Sequence, residues 1–259
     1  MGVALYPFIH IGPLTLGSYG LMVATGLICA FFILRADFAR RGVSADAEAI
    51  IGIAGLAGLA GSRLYHLLES PAEFFADPWP QLFSTMGFAF VGAIIGGFFA
   101  LLLLAKRFRI SPLLMLDAAS PAAAMGYGIG RIGCLISGDG DYGIPTSLPW
   151  GMSFPNGIVP TTERVHPTPV YEFLVAVLIA WILWRLGARG LKKHAPNGII
   201  FAAYLALTGI ARFLVEIIRI NPRSFYGLTN AQAASVVSVI AGVALFVYCR
   251  KAPRQEIRA

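Results

Sequence analysis

Six ionisable residues stand inside otherwise apolar stretches of this chain: Arg63, Asp117, Arg131, Glu172, Arg212 and Glu216. A charged group at membrane depth costs about 2.5–3.5 kcal/mol on insertion scales, so such residues face a protein interior or a wet cavity and find partners. Three arginines with three carboxylates form a balanced set. That set suits structural ion pairs between helices, and it also suits a site that receives an anion. Position bears on the choice. Arg131 lies near the end of an apolar run, just before the polar stretch "SGDGDYG". Arg212, Glu216 and Arg219 fall on one face of a helix, because residues four and seven apart align. Arginine keeps its proton and forks two donors onto phosphate or carboxylate oxygens. Arginines at headgroup depth therefore suit an anionic lipid headgroup better than a simple helix lock.

Composition dictates the elements that must position these residues. Of 259 residues, 57% are hydrophobic and 13% charged, about half the charged fraction of an ordinary soluble domain. The apolar runs reach the roughly 20 residues a spanning helix needs. Helices are the expected spanning elements, since a bilayer core offers no water to stray backbone groups. Spans are expected at 14–34, 48–68, 84–105, 111–137, 168–186, 198–218 and 229–249. The expected fold class is thus an all-α polytopic membrane protein with seven transmembrane helices, residues 1–259 forming a single integral membrane domain. No cleavable signal peptide is expected before the first span, whose N-terminal flank lacks basic residues.

The basic residues orient the bundle. Arg35, Arg40 and Arg41 follow the first span, Lys106, Arg107 and Arg109 the third, Arg185, Arg189, Lys192 and Lys193 the fifth, and Arg250, Lys251, Arg254 and Arg258 the seventh. The opposite connections carry Glu69, Glu73, Asp77, Asp139, Asp141 and Glu163. Cytoplasmic loops hold the Lys/Arg excess, so the N-terminus is expected outside and the C-terminus inside. Residues 138–167 then form an outer-face loop and 250–259 a cytoplasmic tail. The net charge of +7 reflects this rule and is no nucleic-acid footprint. It also favours anionic lipid.

Other motifs have plainer readings. "GIGRIG" matches a dinucleotide fingerprint in letters, but that fingerprint counts only between a strand and a helix. Its glycines, like those of "GLAGLAGS", suit close approach of helices. "DGD" is weak as a metal site and is explained about as well by turn formation. Cys29, Cys134 and Cys249 are far apart and form no ligand or disulfide spacing, so no metal and no cofactor is expected. The 138–167 loop, read as lacking secondary structure, is long enough to be functional. His166 is its clearest group titrating near neutrality.

Taken in order along nearly the whole chain, these motifs resemble the prolipoprotein diacylglyceryl transferases of bacterial inner membranes. "IGPLTLGSYGLM" is similar to the family's opening, with Tyr19, and "GLAGSRLYHLL" to its second-span arginine motif, at Arg63. "LDAASPAAAMGYGIGRIG" carries Asp117 and the signature Arg131, "HPTPVYE" supplies His166, Tyr171 and Glu172, and "GIARFLVEIIR" supplies Arg212, Glu216 and Arg219. The resemblance implies transfer of diacylglyceryl from phosphatidylglycerol to the lipobox cysteine of a prolipoprotein, with release of glycerol phosphate. It implies an inner-membrane enzyme with its site toward the periplasm. Its partners would be phosphatidylglycerol, the prolipoprotein signal-peptide region and the bilayer, with no nucleic acid.

Under that resemblance Arg131 and Arg212 are the expected catalytic cations, with Glu216 orienting Arg212. Tyr19, Arg63, Asp117, Asp139, Gly143, His166, Tyr171, Glu172, Glu216 and Arg219 are the expected substrate-binding set. Asp117 sits roughly 21 Å of helix away from Arg131. The chain also departs from the family. Val91 in "GFAFVGA" stands where the family's presumed base histidine is, and "GRIGCLISGD" has Cys134, Ser137 and Asp139 in place of two asparagines and a glutamate. A divergent paralogue with another acceptor, an anionic-lipid transporter and a lipid-binding scaffold are the alternatives these departures leave open.

Overall fold

The computed structural model describes residues 6–83 and 87–251. The chain opens on a hairpin of β1 (Phe8–Ile11) and β2 (Leu14–Gly17), paired antiparallel. Its two-residue turn is Gly12–Pro13, and Gly12 takes the positive φ of 60° that glycine adopts at no steric cost. The first helix, expected from residue 14, therefore begins later, as α1 (Ser18–Arg41). It also runs past its expected end at residue 34. The reason is Asp37, fully buried and paired with both Arg40 and Arg41, which lets charged residues continue the helix. Arg40 also donates to the Trp184 carbonyl at 2.8 Å and lies 3.9 Å over its ring.

The remaining elements follow the expected order. They are α2 (Ala47–Glu69), two short helices α3 (Pro71–Ala76) and α4 (Pro78–Phe83), α5 (Phe90–Arg107) and α6 (Pro112–Ser137). Then come β3 (Met152–Phe154), β4 (Thr161–Val165), α7 (Thr168–Lys192), α8 (Ile199–Glu216) and α9 (Asn230–Lys251). The third span was placed from residue 84; α5 starts at Phe90, and residues 84–86 lie outside the described ones. Of the expected tail 250–259, Arg250 and Lys251 end α9 and the rest lies outside the described residues.

Among the described residues six helices are long and apolar enough to cross a membrane: α1, α2, α5, α7, α8 and α9. The other long helix, α6, is the one they surround. It packs against α1, α5, α7 and α8, and every residue from Met115 to Ala122 is buried. A helix that meets protein on all sides is free to carry polar groups if they are paired. Asp117 is such a case, accepting from the backbone N–H of Gly198 and of Phe201, both at 2.7 Å. A carboxylate at a helix N-terminus satisfies orphan donors and the helix dipole together. Asp117 therefore caps α8, at the opposite end of α6 from Arg131. Both of its oxygens are thus engaged by the start of α8.

Residues 138–167 also differ from expectation, because they contain the β3–β4 hairpin. The density of proline and glycine reads as irregular chain, yet Pro155–Asn156–Gly157 supplies the turn residues a hairpin requires. Tyr142 stacks on Phe154 at 4.2 Å, and Val165 joins them in a small apolar core.

Small residues set the helix spacing. A Cβ on Gly61 would overlap the Gly92 carbonyl oxygen of α5, one on Gly92 the Gly61 carbonyl, and one on Gly96 that of Ala57. Between α8 and α9, a Cβ on Gly242 would come within 2.7 Å of the Ala202 oxygen. Gly92→Ala should force α2 and α5 apart and cost about 1–3 kcal/mol. Gly97→Ala, whose new methyl meets nothing closer than Ala54 O at 3.8 Å, should change stability by less than about 0.5 kcal/mol. Thermal unfolding of both variants in detergent checks the contrast, and equal losses would contradict it.

Candidate functional site

The glycines that end α6 place Arg131 beside a polar connection. Gly138, with φ 60°, ends the helix and turns the chain into Asp139–Asp141. Gly143 then bridges Arg219 in antiparallel register, and Ile144 N–H donates to Ile218 O at 2.8 Å. A side chain at Gly143 would meet Ile218 O at 2.7 Å and His166 Cβ at 2.8 Å. Only glycine lets these two segments lie so close. This clasp fixes Arg219, because α8 ends at Glu216 and does not carry the expected helical face on to residue 219.

Three arginines and three carboxylates interlock here. Arg131 pairs with Asp141 and lies 3.7 Å from Glu172 Oε2. Arg212 binds Glu172 Oε1 and Glu216 Oε2, both at 2.7 Å. Arg219 pairs with Asp141, lies 3.4 Å from Glu172 Oε2 and 3.7 Å from Glu216 Oε2. Tyr127 donates to Glu172 Oε1 at 2.5 Å, and Asn221 donates to Glu216 Oε1 at 2.6 Å. Glu172 and Glu216 are 4% and 2% exposed, so their charges depend on these partners. Burial by itself would raise the Asp141 carboxyl, but the Arg219 and Arg131 guanidiniums hold it below the ordinary carboxylate value.

A cavity of about 450 Å³ opens onto this cluster. Its polar end presents Tyr127, Arg131, Glu172 and Arg212. Two to three helical turns away its walls are apolar, with Ile94 of α5, Ile179 of α7 and Tyr204 of α8. Val91 lines it too. Asp141, Glu216 and Arg219 are not among the lining residues; they hold the lining arginines from behind. The Arg131 guanidinium carbon lies 4.9 Å over the Tyr127 ring and 5.9 Å over that of Phe90, so two aromatic faces fix its plane.

On its other side Arg131 Nη1 lies 3.9 Å from Cys134 Sγ. An Asp139 carboxylate oxygen lies within 4.8 Å of Cys134 Sγ, and Asp139 Oδ1 accepts from Asp141 N–H at 3.2 Å. Tyr19, about half exposed, packs against Gly133 and faces the same nook. Ligand atoms of Cys134, Asp139 and Asp141 lie within 4.8 Å of one another. Both Asp141 oxygens are already held by arginines, and those cations oppose a metal ion.

Of the residues picked out in the sequence, the structure brings together Arg131, Glu172, Arg212, Glu216 and Arg219, with Gly143 behind them and Tyr19 and Asp139 alongside. His166 and Tyr171 form a neighbouring pair, joined at 3.1 Å from Nδ1 to the hydroxyl, which also accepts from Trp150 Nε1 at 2.8 Å. Arg63 is buried on α2 and donates to Gly87 O at 2.7 Å, in the segment before α5. Asp141, Tyr127 and Asn221 were missed. Asp141 had been set aside as a loop charge, and its only sequence signal is its nearness to a span that ends in Arg131.

Comparison with known proteins identifies the family. The family model described as prolipoprotein diacylglyceryl transferase matches residues 7–248. A phosphatidylglycerol-prolipoprotein diacylglyceryl transferase from Clostridium tetani is 33% identical over 237 residues, covering 88% of this chain and 91% of its own. Relatives of the same name from Geobacter sulfurreducens and Chromohalobacter salexigens are each 33% identical. They cover 85% and 96% of this chain, and 84% and 94% of their own lengths.

Removing one member of a buried ion network leaves the others uncompensated. Glu172→Ala should therefore cost about 3–5 kcal/mol, whereas Tyr127→Phe, which removes one hydrogen bond to a charged group, should cost about 1.5–3 kcal/mol. Denaturant unfolding in detergent measures both. A Glu172→Ala protein as stable as the parent would contradict the network.

Proposed function

The chain belongs to the prolipoprotein diacylglyceryl transferase family, and from that premise we propose that it transfers the diacylglyceryl group of phosphatidylglycerol to the lipobox cysteine of prolipoproteins. The observation that carries the reading is the division within the cluster. Arg131 and Arg212 open onto an apolar cavity, and the other members hold them from behind. Such a cavity accepts acyl chains, and its polar end accepts a phosphate.

The chemistry fits that polarity. The thiol sulfur forms a bond to an sp³ glyceryl carbon while the bond from that carbon to phosphate oxygen breaks. A phosphodiester with one negative charge becomes a phosphate monoester with more, so charge grows on the leaving group. Fixed cations in a water-poor site stabilise that growth most where they need no reorganisation. Arg131 and Arg212 supply this stabilisation. Arg219 and Glu216 position them, and Glu172 is shared by all three arginines. Since the cluster is neutral as it stands, the lipid phosphate binds by displacing a carboxylate contact. Arg131 and Arg212, with 14% and 25% of their side chains exposed, are placed for that exchange. Tyr19, Asp139, His166 and Tyr171 contribute on the side from which the acceptor peptide comes. Arg63 secures the segment before α5, and Asp117 serves as the cap of α8.

The membrane arrangement follows from the same residues. Counting α6 as an enclosed seventh span puts the N-terminus outside and the basic helix ends inside. The arginine cluster then lies at the outer headgroup level of an inner membrane. The 138–167 connection covers it from the periplasmic side, and residues 1–259 act as one membrane domain.

The test uses purified protein, phosphatidylglycerol vesicles and a lipobox peptide. Glycerol phosphate release should match the peptide's gain of diacylglyceryl mass. Arg131→Lys, a point charge that cannot fork two oxygens, should lose about 10²-fold or more in turnover. Phosphatidylglycerol that binds without either product forming would sink the reading.

A further inference from the structure

We infer that the Asp139 carboxylate takes the proton from the acceptor thiol in this chain. This deepens the transferase reading and rests on it. Thiolate, not thiol, is the nucleophile, so the reaction needs a proton acceptor beside the incoming cysteine. The lining of the lipid cavity holds no histidine among the described residues, and Val91 is an aliphatic part of its wall. The base must come from elsewhere.

The carboxylates of the site are not equivalent. Asp141 has arginines on both oxygens, Glu172 is contacted by three arginines and Tyr127, and Glu216 is held by Arg212 and Asn221. Each of these carboxylates therefore has both oxygens engaged by a cation or a hydrogen-bond donor. Among the described residues Asp139 takes part in no ion pair. It accepts from the Asp141 N–H, and the Cys134 thiol lies within 4.8 Å. The groups facing it are Cys134, Asp141, Arg131, Tyr19 and Tyr142. Burial raises its carboxyl above the ordinary aspartate value, which improves it as a proton acceptor. His166 and His10 are engaged by Tyr171 and Thr15, and His66 packs on Gly87.

Position completes the argument. Arg131 Nη1 lies 3.9 Å from Cys134 Sγ, which in turn lies within 4.8 Å of an Asp139 carboxylate oxygen. The guanidinium thus has the lipid cavity on one side and half-buried Asp139, with half-exposed Tyr19 nearby, on the other. A thiol approaching the lipid carbon from the Tyr19 side passes Asp139. In the step, the S–H proton goes to Asp139, the S–C bond forms, and the C–O bond electrons leave with glycerol phosphate. Asp139 then returns its proton to water.

The experiment compares parent, Asp139→Asn and Asp139→Glu as full-length protein in phosphatidylglycerol vesicles, with kcat/KM for the lipobox peptide measured from pH 6 to 9.5. Asp139→Asn should fall about 10²-fold or more near pH 6.5. The gap should close as pH approaches the thiol's own pKa of about 8.5, where solvent supplies the thiolate. Asp139→Glu should recover most of the loss, and phosphatidylglycerol binding should be unchanged in both. A loss of equal size at every pH, a loss of lipid binding, or no loss at all would overturn the inference. A parent that releases no glycerol phosphate at any pH would overturn the transferase reading itself.

Discussion

A guanidinium in apolar surroundings needs negative charge beside it, and the rest of this molecule is arranged around meeting that need three times over. Arg131, Arg212 and Arg219 come from two helices and the segment after α8, and each touches at least two carboxylates. Glu172 touches all three. Desolvating six charges costs more than isolated pairs recover, so only a closed network with satisfied geometry persists in such a place. The network also ties α6, α7 and α8 to the 138–167 connection. Loss of one member is therefore a change in helix packing as well as in charge.

The fold makes room for that network by separating two kinds of helix contact. Where no chemistry is needed, glycines bring backbones together: Gly61 against Gly92, Gly96 against Ala57, Gly242 against Ala202. Those contacts build two tight pairs, α2 with α5 and α8 with α9, and α5 and α8 each also pack on the enclosed α6. The space left among α5 to α9 is the apolar cavity beneath the arginines. At the other end of α6, Asp117 and the Asp37 triad hold α8 and α7 in place. Rigid support at both ends pre-organises the cations, which matters for a reaction whose main demand is stabilising new negative charge.

Much of this was legible in the sequence because burial of charge is expensive and therefore conspicuous. Arg131, Glu172, Arg212 and Glu216 stood out against apolar neighbours and do meet. What stayed hidden depended on distances along the chain that periodicity does not encode. Asp141 belongs to the cluster but sits in a polar loop, where a charge attracts no notice. Asp117 looked like its fellow membrane-depth charges, yet its partners are the backbone amides of Gly198 and Phe201, and no residue type announces those. Arg219 reaches the cluster through the Gly143 clasp and not by continuing α8. The hairpins at β1–β2 and β3–β4 were obscured because their prolines and glycines signal turns and irregular chain alike.

The central claim is that the lipid phosphate enters the network by displacing a carboxylate from Arg131 or Arg212. The most direct measurement is a structure of the chain in a phosphatidylglycerol bilayer at a resolution that shows the headgroup. The account predicts phosphate between the Arg131 and Arg212 guanidiniums, acyl chains in the cavity lined by Ile94, Ile179 and Tyr204, and at least one carboxylate contact of those arginines opened. Phosphate bound elsewhere, with all the arginine–carboxylate contacts of the cluster intact, would contradict it.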